Sequence, residues 1–129
     1  RRTCTRDVVR AYFEHKAKLK IFFKEQCERV CLTTDGWTSQ QKDSYMTVTA
    51  HFICKEWKLH KKVISFFKVK GHKGDDIGKH LQKTLIDWGI EKVMTITVDN
   101  ASNNDGGIGY MKKELSNAKY CILKANIST

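Results

Sequence analysis

Proline is absent from this 129-residue chain, and glycine is sparse at eight residues. Without proline, stiff polyproline linkers and Pro-set turns are excluded, and no low-complexity or repeated tract takes their place. Long hydrophobic runs are missing too. Val63 to Phe67 is interrupted at Ser65 and falls far short of the ~20 apolar residues that span a bilayer, so no membrane partner is expected. The five cysteines, Cys4, Cys27, Cys31, Cys54 and Cys121, include no C-x-x-C pair, and the five histidines show no H-x(3-5)-H spacing. Zinc within this chain is therefore not expected. The chain opens on Arg1-Arg2 with neither an initiating Met nor an apolar h-region behind it. No secretory signal is expected, the thiols are expected to be reduced and mostly to fill core space, and the chain reads as a piece of something longer.

Acid is the other scarcity. Fourteen Asp and Glu face 24 Lys and Arg, for a net charge of +10 and a pI near 9.5. Such a field favours a polyanion, because Lys and Arg contacts to phosphate release counterions whatever the sequence. The lysines are spread along the chain, so charge alone does not separate a nucleic-acid binder from a soluble basic domain. Length and a 40% hydrophobic content fit one globular unit.

From Asp7 to Glu28, Val8, Val9, Tyr12, Phe13, Leu19, Phe22 and Phe23 recur at three- and four-residue spacings among Lys, Arg and Glu, which predicts an amphipathic basic helix. Its Lys-rich side is expected to be a solvated face. The organisation expected is this helix over residues 1–29 and a core over 30–129. A β-prone run at Val30 to Thr34 reaches Asp35, where Gly36 and the polar Trp37-Thr38-Ser39 cluster are expected to end the strand. Next, Met46, Val48, Ala50, Phe52 and Cys54 alternate with Tyr45, Thr47, Thr49, His51 and Ile53, the period of a strand. Lys55-Glu56-Trp57 makes a reversal, and Leu59 to Val69 returns as an antiparallel partner with an apolar centre at Val63 to Phe67. Asp75 or Asp76 is expected to cap a helix carrying Ile77, Leu81, Leu85 and Trp88 on one side, stopped at Gly89. Val93 to Val98 reads as a buried strand ending at Asp99-Asn100, followed by a helix from the Ser102–Asp105 caps to about Leu115 and a possible strand at Tyr120 to Leu123.

Asp35 and Asp99 each follow directly on a β-prone run. If those two strands lie side by side, both acids come to the carboxyl edge of the sheet, where open α/β sheets hold ligands. Paired carboxylates suit Mg²⁺ or Mn²⁺, hard ions that keep several waters and bridge to phosphate. Taken singly, Asp35 reads as a turn residue and Asp99 as a helix N-cap; the metal reading needs the pair. Trp37 could stack on a base, but a buried anchor beside the strand is the expected role. Gly71, His72 and Gly74 carry no G-x-x-x-x-G-K-[ST] pattern, so no phosphate cradle is expected there.

The words around the acids, Val30-Cys31-Leu32-Thr33-Thr34-Asp35-Gly36-Trp37-Thr38-Ser39, Thr49-Ala50-His51-Phe52-Ile53, Trp57-Lys58-Leu59, Asp87-Trp88-Gly89-Ile90-Glu91-Lys92 and Ile96-Thr97-Val98-Asp99-Asn100-Ala101-Ser102-Asn103-Asn104-Asp105, closely resemble the hAT transposases. The likeness is strongest to the plant zinc-finger-BED, Ricesleeper-like members and runs from about Arg10 to Leu115. It implies an α/β, ribonuclease H-like fold, here partial: three antiparallel strands plus a parallel fourth, flanked by helices. It also implies that Asp35 and Asp99 are the first two metal-binding acids of a DD(E) triad serving Mg²⁺ or Mn²⁺. The family's third acid, a Glu, lies beyond a helical insertion downstream of residue 129, and Glu114 does not match it. The BED finger, the C-terminal dimerisation segment and the C-x-x-H word after the second acid have no match either.

The expectation is thus a nuclear, transposase-derived core fragment, degenerate or domesticated. It should bind DNA largely regardless of sequence and be unable to cleave alone, and a missing C-terminal segment is the expected route to any homo-oligomer. The alternatives are a non-catalytic, transcription-related DNA-binding protein and an ATP-using member of the wider superfamily. The last is disfavoured by the lack of a glycine-rich phosphate hairpin after Asp35.

Overall fold

The computed structural model describes residues 2–69 and 74–97. Its order is α1 (Arg2–Gln26), β1 (Cys27–Thr38), β2 (Ser44–Cys54), β3 (Leu59–Lys68), α2 (Gly74–Trp88) and β4 (Val93–Thr97). The strands form one sheet in the order β3-β2-β1-β4, with β1–β2 and β2–β3 antiparallel and β4 parallel to β1. This is the predicted mixed sheet. The predicted elements after Val98, and the Gly71-His72-Lys73 segment, lie outside the described residues. No helix among the described residues is long and apolar enough to cross a membrane.

β2 shows the predicted alternation: Met46, Val48, Ala50, Phe52 and Cys54 are all buried. Met46, Val48, Ala50 and Phe52 share one core with Val30 and Leu32 of β1, Ile64 of β3, and Val93 and Ile96 of β4. α2 covers this face with Ile77, Leu81, Leu85 and Trp88, the predicted stripe, all buried. The helix ends as expected at Gly89, whose φ of 67° lies where a Cβ is disfavoured. Gly89 N donates to the Ile86 carbonyl at 3.1 Å and Ile90 N to the Leu85 carbonyl at 3.0 Å, the two bonds of a Schellman cap. The Trp88 indole Nε1–H donates to the Ile64 carbonyl at 2.7 Å, fastening helix to sheet. Ile64 has no Cα partner in the β2 ladder, because the register shifts between Val48 and Thr49.

Several expectations are corrected. α1 runs from Arg2 to Gln26 instead of Asp7 to Glu28, and Glu28 is already in β1. Neither Pro nor Gly separates the two elements, so pairing of Cys27 with Cys54 decides where helix gives way to strand. The apolar periodicity of α1 predicts one long buried face, yet only Phe23 is buried, with Leu19 and Phe22 partly packed. Val8, Val9, Tyr12 and Phe13 are exposed, because the sheet offers nothing for the N-terminal half to lie on. Gly36 does not end β1: Gly36, Trp37 and Thr38 pair with Met46, Tyr45 and Ser44. The reversal falls instead at Ser39–Asp43, closed by Ser39 N to the Asp43 carbonyl at 2.8 Å with Lys42 at φ 61°. In β3, Ile64 is buried while Val63 and Phe66 are exposed, because an edge strand covered on one face can bury only one side of its apolar centre. Asp75 and Asp76 sit within the first turn of α2, which begins at Gly74, so neither stands before the helix as its cap.

Cys27, Cys31 and Cys54 are free, and of these Cys54 is buried. Burial, followed by the neighbouring Cys54, pushes the Cys27 thiol up to about 11, so at neutral pH it is protonated and unreactive.

Candidate functional site

Residues at every second position of a strand share a face. On β1 those opposite the core are Cys31, Thr33, Asp35 and Trp37. Their β2 partners are His51, Thr49, Thr47 and Tyr45, and on β4 Cys31 and Thr33 pair with Thr95 and Thr97. No described helix covers this second face. Asp35 is therefore presented on an open sheet surface, exposed, three residues before the end of β1 and not at the strand terminus that the sequence suggests. Its backbone carbonyl accepts from Thr47 Oγ1 at 3.3 Å. Among the described residues its carboxylate is left without a hydrogen-bond or ion-pair partner. Asp99 lies outside the described residues. The strand leading to it is β4, and its parallel pairing with β1 is the adjacency that a shared acid site needs.

Beside Asp35 the open face carries a hydroxyl and imidazole pair, Thr33 Oγ1 lying 3.1 Å from His51 Nε2. On the other side lies a cluster of rings from three strands. Trp37 and Tyr45 are stacked with centroids 6.0 Å apart, Tyr45 and Phe66 are stacked at 5.6 Å, and Trp37 and Phe66 are 5.6 Å apart. Trp37 is 44% exposed, which corrects the expected buried anchor: its side chain leaves the strand on the uncovered face. Phe66 was legible only as part of an apolar run, whereas the alternation of β2 did set Tyr45 off the core. Nearby, Lys68 Nζ reaches Asp43 at 2.7 Å, and that hydrogen bond raises the Lys68 pKa above its ordinary value.

Among the described residues no group of three or more His, Cys, Asp or Glu could hold a metal ion. A carboxylate oxygen is the right donor for Mg²⁺ or Mn²⁺, so Asp35 fits such an ion in kind and falls short in number. A groove of about 430 Å³ opens at the opposite end of β1, lined by Phe23, Lys24, Cys27, Glu28 and Glu91 among others; none of the sequence-predicted site residues lines it.

Comparison with known proteins adds a lineage to this geometry. The ZBED1 RNase-like domain matches residues 33–127. A Zea mays protein named as an AC transposase is 37% identical over 105 residues, 80% of this chain and 13% of that protein. The zinc finger BED domain-containing protein RICESLEEPER 2 of Oryza sativa subsp. japonica is 30% identical over 124 residues, 94% of this chain and 17% of its own length. A Talaromyces stipitatus protein named as a transcriptional regulator, tpeD, is 33% identical over 81 residues, 61% of this chain and 10% of that protein. The chain thus spans less than a fifth of the length of each of these three.

Proposed function

We infer the function from one premise: this chain belongs to the ZBED1 RNase-like domain family, with hAT-type, transposase-related relatives and a ribonuclease H-like sheet. In our reading it is the metal-acid half of a transposase-derived DNA-binding core, with residues 30–129 as the core and the basic helix of residues 1–29 before it. Asp35 and Asp99 are two of the carboxylates of the acid site.

The observation that carries this is the parallel register of β1 and β4. Cys31 pairs with Thr95 and Thr33 with Thr97, so the strand that leads toward Asp99 in the sequence runs parallel beside the one that carries Asp35. Mg²⁺ or Mn²⁺ held there would supply the charge that activates a hydroxyl and steadies a leaving oxygen in phosphodiester chemistry. What these residues do themselves is narrower. Asp35 offers an unengaged carboxylate, its backbone fixed by the β2 ladder and by Thr47, while Thr33 and His51 occupy the neighbouring surface. Two carboxylates can hold one hydrated ion but cannot fix two for in-line attack, so the chain by itself binds DNA and does not cut it. DNA as partner sets the nucleus as its compartment.

The experiment is a Mn²⁺ titration followed by NMR, alongside fluorescence anisotropy on two unrelated duplexes. Amides flanking Asp35 should broaden, and Asp35→Asn should abolish the broadening. Duplex affinity should be similar for the two sequences and fall steeply with salt. Plasmid incubated with the chain and Mg²⁺ or Mn²⁺ should remain supercoiled. Broadening centred elsewhere would overturn the acid site, and strong preference for one duplex would overturn indifferent binding. A second reading, a transcription-related DNA-binding module without metal chemistry, is favoured by the likeness to the regulator tpeD. Under it, DNA binding persists and no Mn²⁺ response appears around Asp35.

A further inference from the structure

The ring cluster on the open face is built from three strands and serves no packing role in the core. Trp37 of β1 and Phe66 of β3 are 44% and 59% exposed, and Tyr45 of β2, half-buried, stacks against both. Three aromatic side chains held together on solvent are costly surface, and the β2 ladder fixes their backbones. Trp37 stands two residues beyond Asp35 on the same face, which is roughly 7 Å along a strand. On that same face the edge strand that supplies Phe66 also carries Lys61, opposite His51, and Lys68, opposite Tyr45 and bonded to Asp43, within a chain of net charge +10. Exposed rings beside lysines are the two components of a single-strand site: cations follow the backbone, and an aromatic face takes a base whatever its identity. Inside a duplex that base face is already covered by its neighbours, so the rings can use it only when the base is out of the stack.

We propose that Trp37, Tyr45 and Phe66 form a stacking platform for an unpaired nucleobase, next to the phosphate handled at Asp35. This deepens the DNA-binding reading above and rests on it. The platform holds a base of any sequence, and it gives the chain a preference for single-stranded or frayed DNA that charge alone does not supply.

The test is fluorescence anisotropy of the 129-residue chain at low salt against three probes: a short oligothymidylate, an abasic oligomer of the same length and charge, and a duplex. Oligothymidylate should bind about tenfold or more tightly than the abasic oligomer, the usual order for one base on an aromatic ring. Trp37→Ala and Phe66→Ala should each erase most of that gap, and Trp37→Phe should retain much of it. Trp57→Ala, at an exposed tryptophan in the β2–β3 turn, should leave the gap intact. Circular dichroism confirms that each variant is folded. Equal binding of oligothymidylate and abasic oligomer overturns the platform while leaving the polyanion reading standing; failure to bind any of the three probes overturns both. A chain that sediments as a dimer, becomes monomeric on Phe66→Ala and keeps its base preference would overturn the proposal in favour of a contact between copies.

Discussion

The two faces of this sheet are made from the same strands and differ in nearly everything else. One is closed by α2 and the C-terminal part of α1, with Leu32, Val48, Ala50, Leu81 and Leu85 wholly buried. The other presents Trp37, Ile53, Val63 and Phe66 to solvent beside Asp35, Thr33 and His51. Apolar residues alone do not distinguish them, since β3 carries large apolar side chains on both. What differs is whether a described helix lies on top. The contrast assigns stability to the closed face and chemistry to the open one, so substitutions on the two faces should separate cleanly.

The largest expected effect tests that separation directly. Leu81→Ala removes a side chain with no exposure and should cost about 2–5 kcal/mol by transfer and cavity formation together. Val63→Ala, on the open face and 62% exposed, should stay within about 0.5 kcal/mol. Urea unfolding of both variants measures the difference, and a costly Val63→Ala would show that the second face is covered in solution.

Trp88→Phe keeps a ring in the closed face but deletes the donor that satisfies the Ile64 carbonyl. A buried acceptor left unpaired should lower stability by about 1–3 kcal/mol. If the loss were negligible, the tie between α2 and β3 would be packing alone. Gly89→Ala should cost about 1–2 kcal/mol, read as a lowered melting temperature. Open space surrounds the site of the added Cβ, so the penalty comes from the backbone angle and not from a clash.

The smallest effect lies where α1 and α2 meet above the closed face. Asp87 accepts from Lys16 and lies 3.7 Å from Lys20. The Lys16 hydrogen bond, with the charges of both lysines, holds the Asp87 carboxyl below its ordinary 3.8. A depressed carboxyl contributes stability above its unfolded pKa and loses it as pH falls through the folded one. The contribution should therefore be complete above about pH 4 and fade in more acidic solution. Asp87 is half-exposed, so Asp87→Asn should cost only about 0.2–1 kcal/mol, less in high salt. A larger, salt-resistant loss would mean that α1 is held mainly by this contact and not by Phe23, whose ring packs edge-on against Phe52 at 4.8 Å.

Much of this was legible in the sequence, for reasons that can be located. The alternation from Tyr45 to Cys54 has one polar and one apolar side, so its inward face could be read directly. The stripe Ile77, Leu81, Leu85, Trp88 followed by Gly89 specified a helix, its buried side and its end. The ordered words around Asp35 and Asp99 pointed to the family. Less legible was everything that depended on a neighbour. Gly36 is a strand breaker by local preference, yet it stays in β1 because Trp37 and Thr38 beyond it still find partners on β2. Tyr12 and Phe13 have the spacing of a buried helix face, yet they lie past the end of the surface that α1 packs on. For the candidate site, the sequence supplied Asp35 and its expected partner, and it missed the Thr33–His51 pair and the joining of Trp37, Tyr45 and Phe66.

By itself, then, the sequence determined the order of the described elements, the inward faces of β2 and α2, the basic charge and the lineage, because these follow from period, composition and ordered motifs within one stretch of chain. Only the tertiary structure decided that the described helices leave one face of the sheet open, and that Trp37 stands exposed on it near Asp35. Those outcomes depend on register and on which surfaces the helices reach, and both are set by contacts between residues far apart in the chain, such as Thr33 with Thr97 and Trp37 with Phe66.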